Sequence, residues 1–191
     1  GSLELDGALT AQAFDGEITL SNLRVLDAFS VVPRIAADIR MRNLDLLALT
    51  GAFAFGSMEG RVDGDVTGLR LLGGEPVAFD AHIYTTPGAG GRRRISQRAI
   101  DNISAVGGGP TGILSTGALS LFSDFPYRRI GWRCRLHDGI CHMSGAGPAP
   151  NGGYYLVEGR WLPRIDVIGH GRRVDWHRFM AQLRSVIDDG P

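Results

Sequence analysis

The chain has 191 residues, enough for one large domain or two small ones, and hydrophobic residues make up 43% of it, enough for a sizeable core without metals. Twenty basic residues balance twenty acidic ones, so no electrostatic signal points to nucleic acid as a partner. Every basic residue is an arginine, which excludes a Schiff-base lysine and a phosphate-loop lysine.

With 28 glycines and nine prolines, the composition favours many turns and short strands over a helical bundle. No run approaches the ~18–20 apolar residues of a membrane-spanning helix, and no charged n-region leads into an apolar h-region. Gly1-Ser2 reads as an expression scar. Strand-like sequence follows at once, which suggests a piece of a longer protein.

In chain order, "ALTAQAFDGEITLSNLRVLD" reads as a hairpin with its turn at Asp15-Gly16. In "RIAADIRMRN", Ile35, Ala37, Ile39 and Met41 point one way, and Asp38, Arg40 and Arg42 the other. "NLDLLALTGAFAFG" fits a short helix capped by Asn43 or Asp45, though its apolar run fits a strand as well. In "GRVDGDVTGLRLLGG" the apolar phase shifts after Gly68, which predicts a bulge. "PVAFDAHIYT" sets Val77, Phe79, Ala81 and Ile83 against Ala78, Asp80 and His82. Residues 7–84 thus read as a long antiparallel meander with one apolar and one charged face.

After Tyr84 the composition changes. "TPGAGGRRR" is a loop, and Ile95, Ala99, Ile100 and Ile103 then recur at helical spacing up to Gly107. Beyond "GGGPTG", Leu114, Ala118, Leu121 and Phe122 suggest another helix, capped by Thr111. Strands are predicted at 130–136, 140–144, 154–158 and 164–168. Trp176, Phe179, Met180, Leu183 and Ile187 form a closing helical stripe with Asp175 as N-cap. The fold class read from this order is α+β, mainly β, a twisted antiparallel sheet with about three helices. The expected division is residues 1–86, the meander, and 87–191, an α+β module.

"GWRCRLHDGICHMSG" holds the two cysteines, Cys134 and Cys141. A four-residue Leu-His-Asp-Gly connection sets them face to face, ~4.5 Å apart at Cα, within disulfide range. A two-residue Asp138-Gly139 turn makes them diagonal neighbours, a poorer fit. Zinc needs closer Cys pairs and a second matching pair, and alternation puts His142 on the other face. A catalytic thiol needs a base and an electropositive pocket, but Arg133 and Arg135 point away from it. Two buried free thiols are the plain alternative. The disulfide is preferred, and it implies an oxidising compartment such as the periplasm.

"RRRISQRAIDNISAVGGG" and "RCRLHDGICHMSGAG…GYYLVEGRWLPRIDVIGHGRRVDWHRFMAQL", roughly residues 90–185, resemble the C-terminal region of YdbH-like proteins. These are an AsmA-like, TamB-related family of the Gram-negative envelope that also carries the older label "dicarboxylate transport". The resemblance implies a long curved β-sheet with an apolar groove, in a periplasmic protein anchored in the inner membrane. It implies a part in moving phospholipid between the inner and outer membranes, with no shared catalytic motif to carry over.

The expected function is therefore a non-enzymatic C-terminal module of a periplasmic lipid bridge, with no cofactor and no metal. Phospholipid acyl chains would lie on a face lined by Ile35, Ala37, Ile39, Met41, Val77, Phe79, Ala81 and Ile83. Membrane contact would come through the full-length protein. The plain alternative for that face is an ordinary core closed by helices. One rival function is docking of an outer-membrane or other envelope protein without carrying lipid. A second is a hydrolase or transferase with an unrecognised site, although "GILSTGA" lacks the Gly-x-Ser-x-Gly elbow. "GGGPTG" could cradle a phosphate but reads better as a hinge. Arg92, Arg93 and Arg94 could grip headgroups but read better as a solvated loop, and His82, His170 and His177 as surface or capped histidines. The closing helix stripe reads as core packing rather than a partner surface.

Overall fold

The computed structural model describes residues 2–4, 6–106, 119 and 121–188. The first hairpin joins β2 (Ala8–Ala13) to β3 (Gly16–Leu26), and β1 (Ser2–Glu4) pairs with the far half of β3, end to end with β2. The turn is Phe14-Asp15, with φ of 49° and 56°, one residue earlier than the Asp15-Gly16 signal suggests. Gly16 serves close packing instead. A Cβ there would lie 2.6 Å from the Arg42 and Asn43 carbonyl oxygens of the next strand, β4 (Arg34–Asp45).

From β4 the chain enters α1 (Leu46–Ala52), where the Asp45 carboxylate accepts the Ala48 N–H at 2.9 Å as N-cap. A two-residue strand, β5 (Met58–Glu59), leads to β6 (Arg61–Leu72) and β7 (Glu75–Thr85). In the main sheet β3, β4, β6 and β7 are successive antiparallel neighbours, so the meander forms as expected, interrupted only by α1 and β5.

Each inner strand of the meander carries a bulge, and an aspartate clasps it. The predicted slip in β6 falls beside Gly68, whose N–H donates to Asp38 Oδ1 of β4 at 2.7 Å. On the other side of β4, β3 slips beside Asn22, whose amide donates to Asp38 Oδ2 at 2.6 Å. One row along, β4 slips beside Asn43. Its N–H donates to Asp63 Oδ1 at 2.8 Å, and the Thr86 hydroxyl donates to the same oxygen at 2.8 Å. Bulges bend a strand and raise its twist, so the carboxylates hold the curvature of the sheet.

β8 (Arg94–Ser96) pairs with β5 and precedes α2 (Gln97–Val106). Ile95, expected on the helix, belongs to the strand. The helix expected over 114–122, with its Thr111 cap, lies largely outside the described residues. β9 (Asp124–His137) ties the side ladders to the main sheet. Its second half joins β7 to β10 (Ile140–Gly145), and its first half pairs with β8 and with β11 (Tyr154–Gly159). Gly131 marks the change, where a Cβ would meet Ala146 backbone atoms at 2.7 Å. β12 (Val167–Gly169) pairs with β11, and β13 (Arg173–Asp175) pairs with β10 and leads into α3 (Trp176–Asp188). Asp175 Oδ1 accepts the Arg178 N–H at 2.8 Å, the expected cap.

Two core clusters lie on the helix-bearing face. The first joins Leu44, Val62, Ile95, Phe125, Tyr127, Val157 and Val167 to Ala99 and Ile100 of α2. The second joins Phe79, Ala81, Leu136, Met143, Tyr154 and the two cysteines to Trp176, with Phe179 and Met180 of α3 packed against it. Residues on both sides of position 86 share these clusters, and β7 pairs with β9 across that position. The architecture is α+β and mainly β: an open, twisted antiparallel sheet with three helices among the described residues.

Candidate functional site

Cys134 and Cys141 form a disulfide, with Cα atoms 5.5 Å apart. The connection is the two-residue Asp138-Gly139 turn, closed by His137 and Ile140. Both turn residues have positive φ, 48° and 73°, the conformation that suits the twist of a hairpin. Cys134 is therefore opposite Met143, and Cys141 opposite Leu136. The bridge runs diagonally, in the register that the spacing argument ranks second. Both cysteines are fully buried beneath Trp176 and its neighbours.

The bridge marks the sealed end of the apolar face. There the Phe79 ring meets Trp176 edge-on at 5.1 Å, and Trp176 stacks on Phe179 at 5.6 Å. Phe79 and Ala81, expected to line a groove, are thus packed by the protein's own helix. Met41 and Ile83 lean on the cluster closed by α2. Ala37 is buried, Ile35 and Ile39 are half-buried, and Val77 is 42% exposed at a register shift of β7.

Burial fades toward the N-terminal strands. Register places Leu9, Leu20, Ile39 and Val66 in one cross-strand row, and Leu3, Val25, Ile35 and Leu71 in another. Leu20, Val25, Ile35, Ile39 and Leu71 are half-buried, while Leu9 and Leu3 are 54% and 61% exposed. Of these two rows only Val66 packs against a core cluster closed by a described helix. The face is therefore divided: sealed under the helices, and accessible as an apolar strip over β1–β4 and the end of β6. Sequence alternation is the same in both parts, so it carries no signal for the division.

The opposite face is a charge ladder. Arg42 donates to Asp65 at 2.8 Å, and that hydrogen bond raises the arginine's pKa. Arg135 and Asp80, directly opposed on β9 and β7, pair at 3.1 Å. Such exposed pairs are worth ~0.2–1 kcal/mol each, so they fix register more than stability. His82 stacks on Tyr84 at 4.4 Å, and its pKa is lowered by burial and by the nearby Arg133.

No family model, no curated protein and no solved structure matches this chain.

The remaining candidates sort by geometry. Arg92 lies 3.4 Å from Glu59, Arg93 donates to the Arg128 and Ala89 carbonyls, and Arg94 pairs with Asp124. The triple arginine is thus spent on internal contacts. His170 and His177 are exposed. "GGGPTG" lies outside the described residues. Among the described residues no group of three His, Cys, Asp or Glu could hold a metal ion. A shallow hollow of about 240 Å³ beside α1 is lined by Leu47, Thr50, Gly51, Ala54, Gly56, Ser57 and Arg98, with the guanidinium its one titratable group. The buried Glu158 carboxylate is held by Arg129 at 2.5 Å and faces Arg128 at 3.7 Å. No described helix is long and apolar enough to cross a membrane. A disulfide fits an oxidising, non-cytoplasmic setting.

Proposed function

We propose that this chain is a non-enzymatic module of a periplasmic bridge that carries phospholipid between membranes, with acyl chains resting on the uncovered apolar strip. The observation that carries the reading is the strip itself: two cross-strand rows of aliphatic side chains, continuous with the core yet left in contact with water. An acyl chain laid along such a surface gains ~0.8 kcal/mol per buried CH₂, so a modest contact length gives useful affinity. The clasped bulges support the reading because they curve the sheet that carries the strip. The disulfide supports the compartment. The stretches quoted from residues 90–185, which resemble the YdbH-like C-terminal region, support the assignment to the envelope.

The test is native mass spectrometry of the protein purified from a Gram-negative host. Phospholipid adducts are expected on the wild type, and Ile35→Asn with Ile39→Asn should remove them without unfolding the chain. A folded wild-type protein free of lipid would overturn the reading and favour the docking alternative.

A further inference from the structure

The loop between β3 and β4 carries the most exposed apolar side chains of the strip's end of the molecule. Phe29 is 95% exposed and Val31 98%, and Leu26, Val32 and Leu72 beside them are exposed too. The adjacent β6–β7 turn belongs to the same projection: the Gly73 N–H donates to the Pro33 carbonyl at 3.1 Å. From this cluster we infer that the Phe29–Val32 tip inserts into the surface of a lipid bilayer.

Scattered exposed hydrophobics are ordinary, but five gathered on one projection mark an interaction surface. Three features select a bilayer as the occupant. Residues 28–33 carry no charge, and the flanking Asp27 and Arg34 neutralise each other at 2.6 Å, as do Glu4 and Arg24 at 2.7 Å. Insertion of residues 28–33 themselves therefore drags no unpaired charge out of water, while Glu75, exposed beside Leu72 on the β6–β7 turn, stays among the headgroups. The loop also begins to satisfy its own backbone. Ser30 N–H donates to the Asp27 carbonyl at 2.8 Å, Pro33 has no N–H, and its carbonyl is taken by Gly73. Finally, the tip adjoins the row of Leu3, Val25, Ile35 and Leu71, the end row of the uncovered strip. A side chain anchored in the headgroup region would bring that row to the membrane surface. The contact can hold even if the strip carries no lipid, so it goes beyond the function proposed above.

The experiment attaches an NBD fluorophore to Val31→Cys under non-reducing conditions, which leave the buried Cys134–Cys141 bridge closed. The probe is large unilamellar vesicles, one set of phosphatidylethanolamine and phosphatidylglycerol, one of phosphatidylcholine alone. Expected are a blue shift and a several-fold rise in NBD emission with both sets, persisting in high salt. A label at Leu162→Cys, in the exposed Trp161-Leu162 loop beyond the opposite end of β9, should stay water-like. Phe29→Ser with Val31→Ser should abolish vesicle flotation while leaving the melting curve unchanged, since neither side chain is buried. A water-like label at position 31 in the presence of vesicles would overturn the inference, as would flotation of the double serine variant or an absence of flotation by the wild type. Lipid retained in native mass spectrometry is read on the same preparations, so failure of the tip and failure of the strip are distinguished.

Discussion

Truncating Phe79 and Ile35, two residues that alternate identically in the sequence, should have different consequences. Phe79 is buried and its ring packs edge-on against Trp176 at 5.1 Å, so Phe79→Ala opens a cavity under α3 and should cost ~3–5 kcal/mol. Ile35 is half-buried and lies outside both core clusters of the described residues, so Ile35→Ala gives up only part of a transfer term, about 1 kcal/mol. With a urea m-value of about 2 kcal/mol/M, the midpoint should fall by about 1.5–2.5 M for the first variant and by about 0.5 M for the second. Urea titrations followed by far-UV circular dichroism and by tryptophan fluorescence measure both. Equal midpoint shifts would refute the division of the face into a sealed and an open part.

Other substitutions probe what shapes the sheet. Asp63→Ala leaves the Asn43 N–H and the Thr86 hydroxyl without their buried acceptor, so it should cost ~1–3 kcal/mol, while Asp38→Ala, at a more exposed clasp, should cost ~0.5–1.5 kcal/mol. Amide exchange should report the same losses locally, with faster exchange at Asn43 in the first variant and at Gly68 in the second. Replacing Cys134 and Cys141 together by alanine removes a short-loop crosslink spanning seven positions, worth about 2.5 kcal/mol on chain entropy, measurable as a lower denaturation midpoint. His82 favours its neutral form when folded, while the unfolded histidine takes up its proton near pH 6.5. Stability should therefore fall as pH drops below about 6.5, until the folded histidine protonates as well, and His82→Gln should remove that part of the pH dependence of the melting temperature.

The local grammar of the meander was legible because alternation, aspartate caps and glycine-marked bulges act within a few residues. Gly16 misled by one position: it is a glycine for close approach to β4, while Phe14 and Asp15 adopt the positive φ. The cysteine register misled for a related reason, since Asp138-Gly139 prefers the tight turn and the bridge accepts the diagonal. The first half of β9 was hidden by Pro126, which reads as a loop residue, although its carbonyl accepts the Arg160 N–H at 3.0 Å. β8 and β13 are three residues each, too short for a period to appear. The division of the apolar face is a long-range property. It depends on where α2 and α3 come to rest, and alternation in Phe79 or Ile35 carries no trace of that.

The claim that matters most is that guest acyl chains reach the strip over β1–β4. Photo-crosslinking with a phospholipid bearing a diazirine in its acyl chain, followed by peptide mapping, tests it most directly. Adducts are expected on Leu9, Leu20, Ile35 and Ile39, with none on Arg40, Asp65 or the Phe79 region. Label spread over the charged face, or an unlabelled strip in folded protein, would contradict the account.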